Sequence, residues 1–182
     1  MKVCITGHST GIGAAFFDHY RTRDNEVLGF SRSNSYDISL DHDRQRIISE
    51  SIDADIFINN AYDFKSMTNF QLLLLKDMVK NWYDQNKVII NISSTAGDFP
   101  SHNNHYNNNK HNLDQYINKY SLARKSLYIL NVKPWYTDVE RMKSVVVQKP
   151  KLTCQDVVDA VLKVLDLRSL VFITSLTIYP KL

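Results

Sequence analysis

Short apolar runs alternate with longer amphipathic segments along most of this chain. Runs at 2–6, 26–30, 54–58, 87–92, 126–132 and 169–175, with a short piece near 35–37, read as strands. Segments at 11–22, 41–52, 66–84, 104–121 and 153–166 place apolar residues at helical spacing. Strands that alternate with helices argue an α/β fold: a parallel sheet of about seven strands with helices on both faces. Thr153-x-x-Asp156 opens the last helix as a capping box, and Val157, Val161 and Val164 give it a buried stripe. The helix 66–84 spreads Phe70, Leu74, Leu75, Met78, Val79 and Trp82 over an arc wider than one face against a sheet needs. That surplus predicts pairing with a second copy, in a homodimer or homotetramer. No repeat, linker or boundary interrupts the pattern, and 182 residues suit a single domain, 1–182.

Composition narrows the partners. Hydrophobic content of 43% with 23% charge is ordinary for a globular protein, and a net charge of +3 is too mild to argue for nucleic acid. The densest apolar patch, 72–75, is far shorter than a membrane span, and the first apolar run is too short for a signal peptide. Cys4 and Cys154 suggest no disulfide framework; two free thiols fit a reducing cytoplasm. The expectation is a cytoplasmic protein with a small-molecule partner and neither nucleic acid nor membrane.

Glycine placement points to the chemistry. The chain has five glycines, and Gly7, Gly11 and Gly13 crowd into Thr6-Gly-His-Ser-Thr-Gly-Ile-Gly13. This segment follows the first strand and leads into Ile12, Ala15 and Phe16 at helical spacing. Strand, glycine turn and helix start together make a receptor for pyrophosphate. The free N–H groups and positive dipole end of the helix face the anion, and glycine lets the backbone come close.

The spacing Thr-Gly-x-x-x-Gly-Ile-Gly resembles the cofactor loop of the short-chain dehydrogenase/reductase family, and four further segments resemble that family in order. They are Asn59-Asn60-Ala61, Asn91-Ile-Ser-Ser-Thr-Ala-Gly97, Tyr106-Asn-Asn-Asn-Lys110, and Pro134 at the end of a strand. Tyr62 and Trp135 stand where the family has glycine. The resemblance implies a Rossmann-like, doubly wound sheet and a nicotinamide cofactor. Gly7, Ser9, Thr10, Gly11, Ile12 and Gly13 would hold its phosphates, Asn60 and Ala61 would lie under the adenosine ribose, and Pro134, closing the sixth strand, would also bind the cofactor. Against that family the region that covers the substrate, about 135–152, is reduced, and so is the tail after Ile178.

Tyr106 and Lys110, four apart, share a helix face with Leu113, Ile117 and Tyr120, the stripe that packs on the sheet. A lysine on a buried stripe needs a reason, because burying an ammonium without a partner is costly. A phenol with an ordinary pKa of about 10 is a poor base at neutral pH, and a nearby ammonium stabilises its phenolate. By the resemblance, Tyr106 is the general acid/base, and Lys110 supports it and holds the nicotinamide ribose. Ser94, three before Gly97, hydrogen-bonds the substrate oxygen, with Ser93 its rival. Asn69 is the candidate for the family's asparagine linked through water to the lysine; an N-cap role accounts for it equally well.

Cofactor choice is read after the second strand. No carboxylate stands there; Ser31 and Arg32 do, and a guanidinium suits the 2′-phosphate of NADP. Asp37 resembles the aspartate that lies beside adenine. NADP(H) is expected ahead of NAD(H). His102, His105 and His111 lack the cysteines or carboxylates that would complete a metal site, and no metal is expected. Lys143, Lys149 and Lys151 read as a solvated basic loop. The leading expectation is an NADP(H)-dependent short-chain oxidoreductase acting on a carbonyl or alcohol. The alternative is a catalytically silent NADP(H)-binding regulator or scaffold, suggested by Tyr62 and Trp135. Nucleotide-sugar epimerisation or dehydration fits the glycine spacing and the short C-terminal part less well.

Overall fold

Residues 1–101, 103–121, 126–147 and 150–181 are described by the structure, a computed structural model. His102 and Lys149 lie outside the described residues. Six strands form one sheet: β1 (Lys2–Thr6), β2 (Glu26–Phe30), β3 (Ile56–Asn59), β4 (Val88–Ile92), β5 (Tyr128–Pro134) and β6 (Ser175–Ile178). Their order across the sheet is β2-β1-β3-β4-β5-β6, and every pairing is parallel. Five helices connect them: α1 (Gly11–Arg21), α2 (Asp41–Glu50), α3 (Phe70–Asn81), α4 (His105–Ser121) and α5 (Cys154–Asp166).

Alternate strand residues feed two cores. Val3, Ile5, Ile58, Ile90 and Leu130 join Phe16 of α1 and Val157 and Val161 of α5 on one face. Cys4, Phe57, Ile89 and Ile129 join Ile47 of α2, Leu74 and Met78 of α3 and Leu113 of α4 on the other. The period-two alternation of strand side chains explains the split: the central strands β1, β3, β4 and β5 are apolar on both faces, whereas the edge strand β6 is apolar only through Leu176 and Ile178, with Ser175 and Thr177 exposed. The Thr153 and Asp156 side chains exchange the two bonds of the capping box that opens α5.

Three expectations are corrected. The sheet has six strands among the described residues, not about seven. The piece near 35–37 is not a strand: a 3-10 turn at Arg32–Asn34 runs into Ser35, whose φ of 65° turns the backbone out of any extended path. The last strand is Ser175–Ile178 rather than 169–175, because a 3-10 turn at Leu167–Ser169 follows α5. The wide apolar arc of the third helix is also accounted for within the chain. Leu74, Leu75, Met78, Val79 and Trp82 are fully buried beneath it, Trp82 edge-on to Phe57 with ring centroids 6.2 Å apart. A helix wedged between α2, α4 and the sheet needs more than one apolar face; of the arc only Phe70, at the helix start, stays half-buried.

Candidate active site

From β1 the chain turns one way to build β2, then crosses back to β3 on the other side. The strand order therefore reverses between β1 and β3, and a crevice opens beyond their carboxyl ends. Thr6 ties the two tips together. Its Oγ1 donates to Ile58 O at 3.3 Å and accepts from the N–H of Asn60 at 2.9 Å and of Ala61 at 3.0 Å. Asn60 Nδ2 in turn donates to Thr6 O at 3.0 Å and Gly7 O at 3.2 Å, pinning the glycine loop. Gly7 and Gly11 have φ of +68° and +59°, a region that favours glycine. Gly13 serves packing: a Cβ there would lie 2.1 Å from Gly7 O. Helix α1 starts with no side-chain cap and no acidic residue in its first turn, so its first N–H groups remain for an anion.

One cleft of about 1220 Å³ runs from this loop to α4. Gly7, Ser9, Thr10, Gly11 and Ile12 line its centre. Ser31, Arg32 and Asp37 line one end, Asn60, Ala61 and Pro134 its walls, and Ser94, Tyr106 and Lys110 the other end. At the first end, Arg32 is exposed and the Ser31 and Ser33 hydroxyls lie 2.7 Å apart. Burial works against the charge of Asp37, but the Ser39 N–H at 2.9 Å and the Arg32 guanidinium overcome it and hold the carboxyl below its ordinary value. A hollow of about 410 Å³ continues past Arg32 and Asp37 to Arg46, whose guanidinium lies 4.3 Å from the centre of the Tyr36 ring.

At the other end Lys110 is only 3% exposed. Its Nζ donates to Gln71 Oε1 at 2.7 Å and Ile92 O at 2.9 Å, and lies 4.9 Å from the Tyr62 ring and 5.6 Å from the Tyr106 ring. Tyr106 stands edge-on to Tyr62 and stacks on Phe64, at 5.2 and 5.4 Å between ring centres. The two serines part company. Ser93 is buried and donates to Asp114 Oδ1 at 2.5 Å, whereas Ser94 Oγ accepts the Ala96 N–H at 3.2 Å, a turn that leaves its own proton for another acceptor. Asn69 caps α3: its Oδ1 accepts the Leu72 N–H at 3.1 Å and its Nδ2 donates to Asn109 O at 2.6 Å.

Beneath the cleft lies a buried row of amides that sequence reasoning did not find. Asn59, Asn91 and Asn131 are register partners on β3, β4 and β5. Asn59 Nδ2 donates to Asn91 Oδ1 at 2.9 Å, Asn91 Nδ2 to Asn131 Oδ1 at 2.9 Å, and Asn131 Nδ2 to Asp114 Oδ1 at 2.8 Å. Asp114 ends the row as an acceptor and so orients every amide in it. Lys133, near Asp114 and paired with Asp98, loses something to burial, but the two carboxylates outweigh that and raise its pKa. The signal available in the sequence was the position of Asn59 and Asn91 near the ends of apolar runs and of Asp114 one turn beyond Lys110.

The segment after Pro134 folds back over the glycine loop, with Val139 close above Gly11. Two of its lysines are described: Lys143 pairs with Glu140 at 2.5 Å, and Lys151 donates to Met142 O at 2.5 Å. His105 is exposed, and a His111 ring nitrogen lies 3.0 Å from Gly97 O. Among the described residues no group of His, Cys, Asp or Glu could hold a metal ion. No helix there is long and apolar enough to cross a membrane.

A parallel sheet with a glycine loop at its switch point defines a Rossmann-like α/β domain. Comparison with solved structures narrows this to the fold of the short-chain dehydrogenases and reductases. A short-chain dehydrogenase from Burkholderia cenocepacia, solved with NADP, aligns over 98% of this chain and 88% of its own, at TM-score 0.79 and 19% identity. The 3-alpha-hydroxysteroid dehydrogenase of a Pseudomonas species, solved with NADH, aligns over 98% and 95% at TM-score 0.81 and 13% identity. The 3-ketoacyl-(acyl-carrier-protein) reductase of Brucella melitensis, also solved with NADH, aligns over 97% and 96% at TM-score 0.76 and 16% identity. No family model matches the sequence, and no curated protein matches it at the sequence level.

Proposed function

We propose that the protein is an NADP(H)-dependent oxidoreductase of the short-chain type, acting between a carbonyl and an alcohol. One observation carries this reading. Ser94, Tyr106 and Lys110 meet in the same cleft as the glycine loop and Arg32. The residues suit a dinucleotide: the uncapped start of α1 faces the cleft, and Gly7 and Gly11 bring no side chain to it. A bound nicotinamide supplies or accepts the hydride. In the reducing direction Tyr106 gives its phenolic proton to the carbonyl oxygen, and Ser94 donates a hydrogen bond to that oxygen. Lys110 stabilises the phenolate left behind and holds the ribose. Arg32 meets the 2′-phosphate, which favours NADP(H) over NAD(H).

The test is NADPH binding by fluorescence and NADPH oxidation across a panel of aldehydes and ketones. Tyr106→Phe lowers turnover by about 10²–10⁴-fold and leaves NADPH affinity unchanged, because the proton is used only in the transition state. Lys110→Ala harms both, Ser94→Ala harms turnover more than Ser93→Ala, and Arg32→Ala removes the preference for NADPH. A Tyr106→Phe protein that keeps most of its rate refutes the assignment. The second reading, a cofactor-binding protein without turnover, is favoured by Tyr62, whose ring stands over Lys110 where the family has glycine. A parent that binds NADPH and oxidises it with no carbonyl in the panel supports that reading instead.

A further inference from the structure

Gln71 is fully buried at the second position of α3, between the tips of β3 and β4. Its Nε2 donates to Asn59 O at 2.8 Å and to Ile92 O at 2.9 Å. Both partners are carbonyls, which only accept, so the amide has one possible orientation and its oxygen faces away from them. That oxygen accepts from Lys110 Nζ at 2.7 Å, while the same ammonium donates to Ile92 O. Asn59 Nδ2 closes the arrangement by donating to Gln71 O at 3.1 Å, which locks the first turn of α3 to the end of β3. The lysine is thus gripped by a carboxamide that cannot turn.

The residue type matters as much as the position. A carboxylate at this point would accept from the lysine as well, but it would cancel the charge beside it and set its second oxygen against Asn59 O and Ile92 O. An apolar side chain of equal size would leave the ammonium without that acceptor in a buried site, which is costly. A carboxamide holds the ammonium and leaves its positive charge in place. Around the ammonium, the Tyr62 and Tyr106 rings stand on the cleft side. Asp114, one turn along α4, is directed to Ser93, Asn131 and Lys133 instead.

We propose that Gln71 is a positioning residue for the reaction: its carboxamide fixes the Lys110 ammonium beneath Tyr106 without neutralising it. The catalytic part of this inference rests on the oxidoreductase reading above; the grip on Lys110 does not. The experiment therefore has two arms, both on the full chain. In the first, the ¹H–¹⁵Nζ cross-peak of Lys110 is recorded in ¹⁵N-labelled protein and identified by its loss in Lys110→Arg. An ammonium that is hydrogen-bonded and shielded from water exchanges slowly enough to be seen. Gln71→Glu moves that peak, and Gln71→Met broadens it as exchange quickens. In the second arm, turnover is measured with NADPH and the most active carbonyl of the panel. Both variants lower kcat on the order of tenfold, with the carbonyl KM little changed, and Gln71→Glu also alters the pH–rate profile.

A role confined to folding would shift the melting temperature and leave the cross-peak and the pH profile alone. A Lys110 peak unmoved in both folded variants overturns the proposal, as does a kcat equal to the parent's in both. If Gln71→Met does not fold, Gln71→Glu, which keeps an acceptor toward the lysine, decides by itself. A parent with no turnover refutes the oxidoreductase reading, and the cross-peak then still decides whether Gln71 holds the ammonium.

Discussion

Changing one atom of the buried amide row, in Asn91→Asp, produces a pH-dependent defect whose size follows from the geometry. Asn91 accepts from Asn59 and donates to Asn131 Oδ1, each at 2.9 Å, and Asn131 is held in turn by Asp114. An ionised carboxylate at this position still accepts from Asn59 but sets oxygen against the oxygen of Asn131. Turning the Asn131 amide only moves the clash to Asp114. The protonated acid, by contrast, donates to Asn131 and accepts from Asn59, and so reproduces the asparagine. Folding therefore favours the protonated form, and the introduced group has a folded pKa above its unfolded value of about 3.9. A raised folded pKa means that stability is retained below the unfolded pKa and lost as pH rises toward the folded one. The loss grows by about 1.4 kcal/mol per pH unit and levels off near the 3–5 kcal/mol typical of an uncompensated buried charge. Guanidinium unfolding of parent and variant between about pH 4 and pH 8 measures this. The two stabilities should nearly coincide at the acid end and separate steadily toward neutrality. A gap that stays constant over that range refutes the orientation assigned to the row.

Two further outcomes are expected. Gly13→Ala places a Cβ 2.1 Å from Gly7 O, so the loop must move; the overpacking costs about 1–3 kcal/mol and lowers the melting temperature by about 3–10 °C. NADPH affinity falls with it, on the order of tenfold, and a variant with the parent's melting temperature and NADPH Kd contradicts the packing role. Burial pushes the Cys4 thiol up to about 11 and the Tyr20 phenol up to about 12. Because these folded values are raised, their contribution is intact below the unfolded pKa values, about 8.5 and 10, and is lost as pH climbs through the folded ones. The melting temperature should fall steadily above about pH 9, and Cys4→Ala should flatten the part of that fall below pH 11. A melting temperature that stays level to pH 11 would show that neither group is held neutral by the fold.

Periodicity, glycine placement and capping are properties of short segments, and what depends on them was legible in the chain itself. The strand-turn-helix at Gly7–Gly13, the five helices and the capping box at Thr153 each need only neighbours a few residues away. Resemblance of spacing added Ser94, Tyr106 and Lys110, and the fold brings all three to one cleft. The strand assigned near 35–37 failed because a few polar-flanked residues do not reveal a left-handed Ser35. Most of the wide arc of the third helix is taken up by three partners within the chain, and periodicity does not count partners. Gln71, Asp114 and the row Asn59–Asn91–Asn131 were invisible for a related reason. Asn59 and Asn91 are 32 residues apart, and Asn91 and Asn131 are 40 apart. Only parallel register puts them side by side, and only burial away from water makes their hydrogen bonds obligatory. A polar residue near the end of an apolar run is indistinguishable, in sequence, from one that faces solvent; the sheet decides which it is.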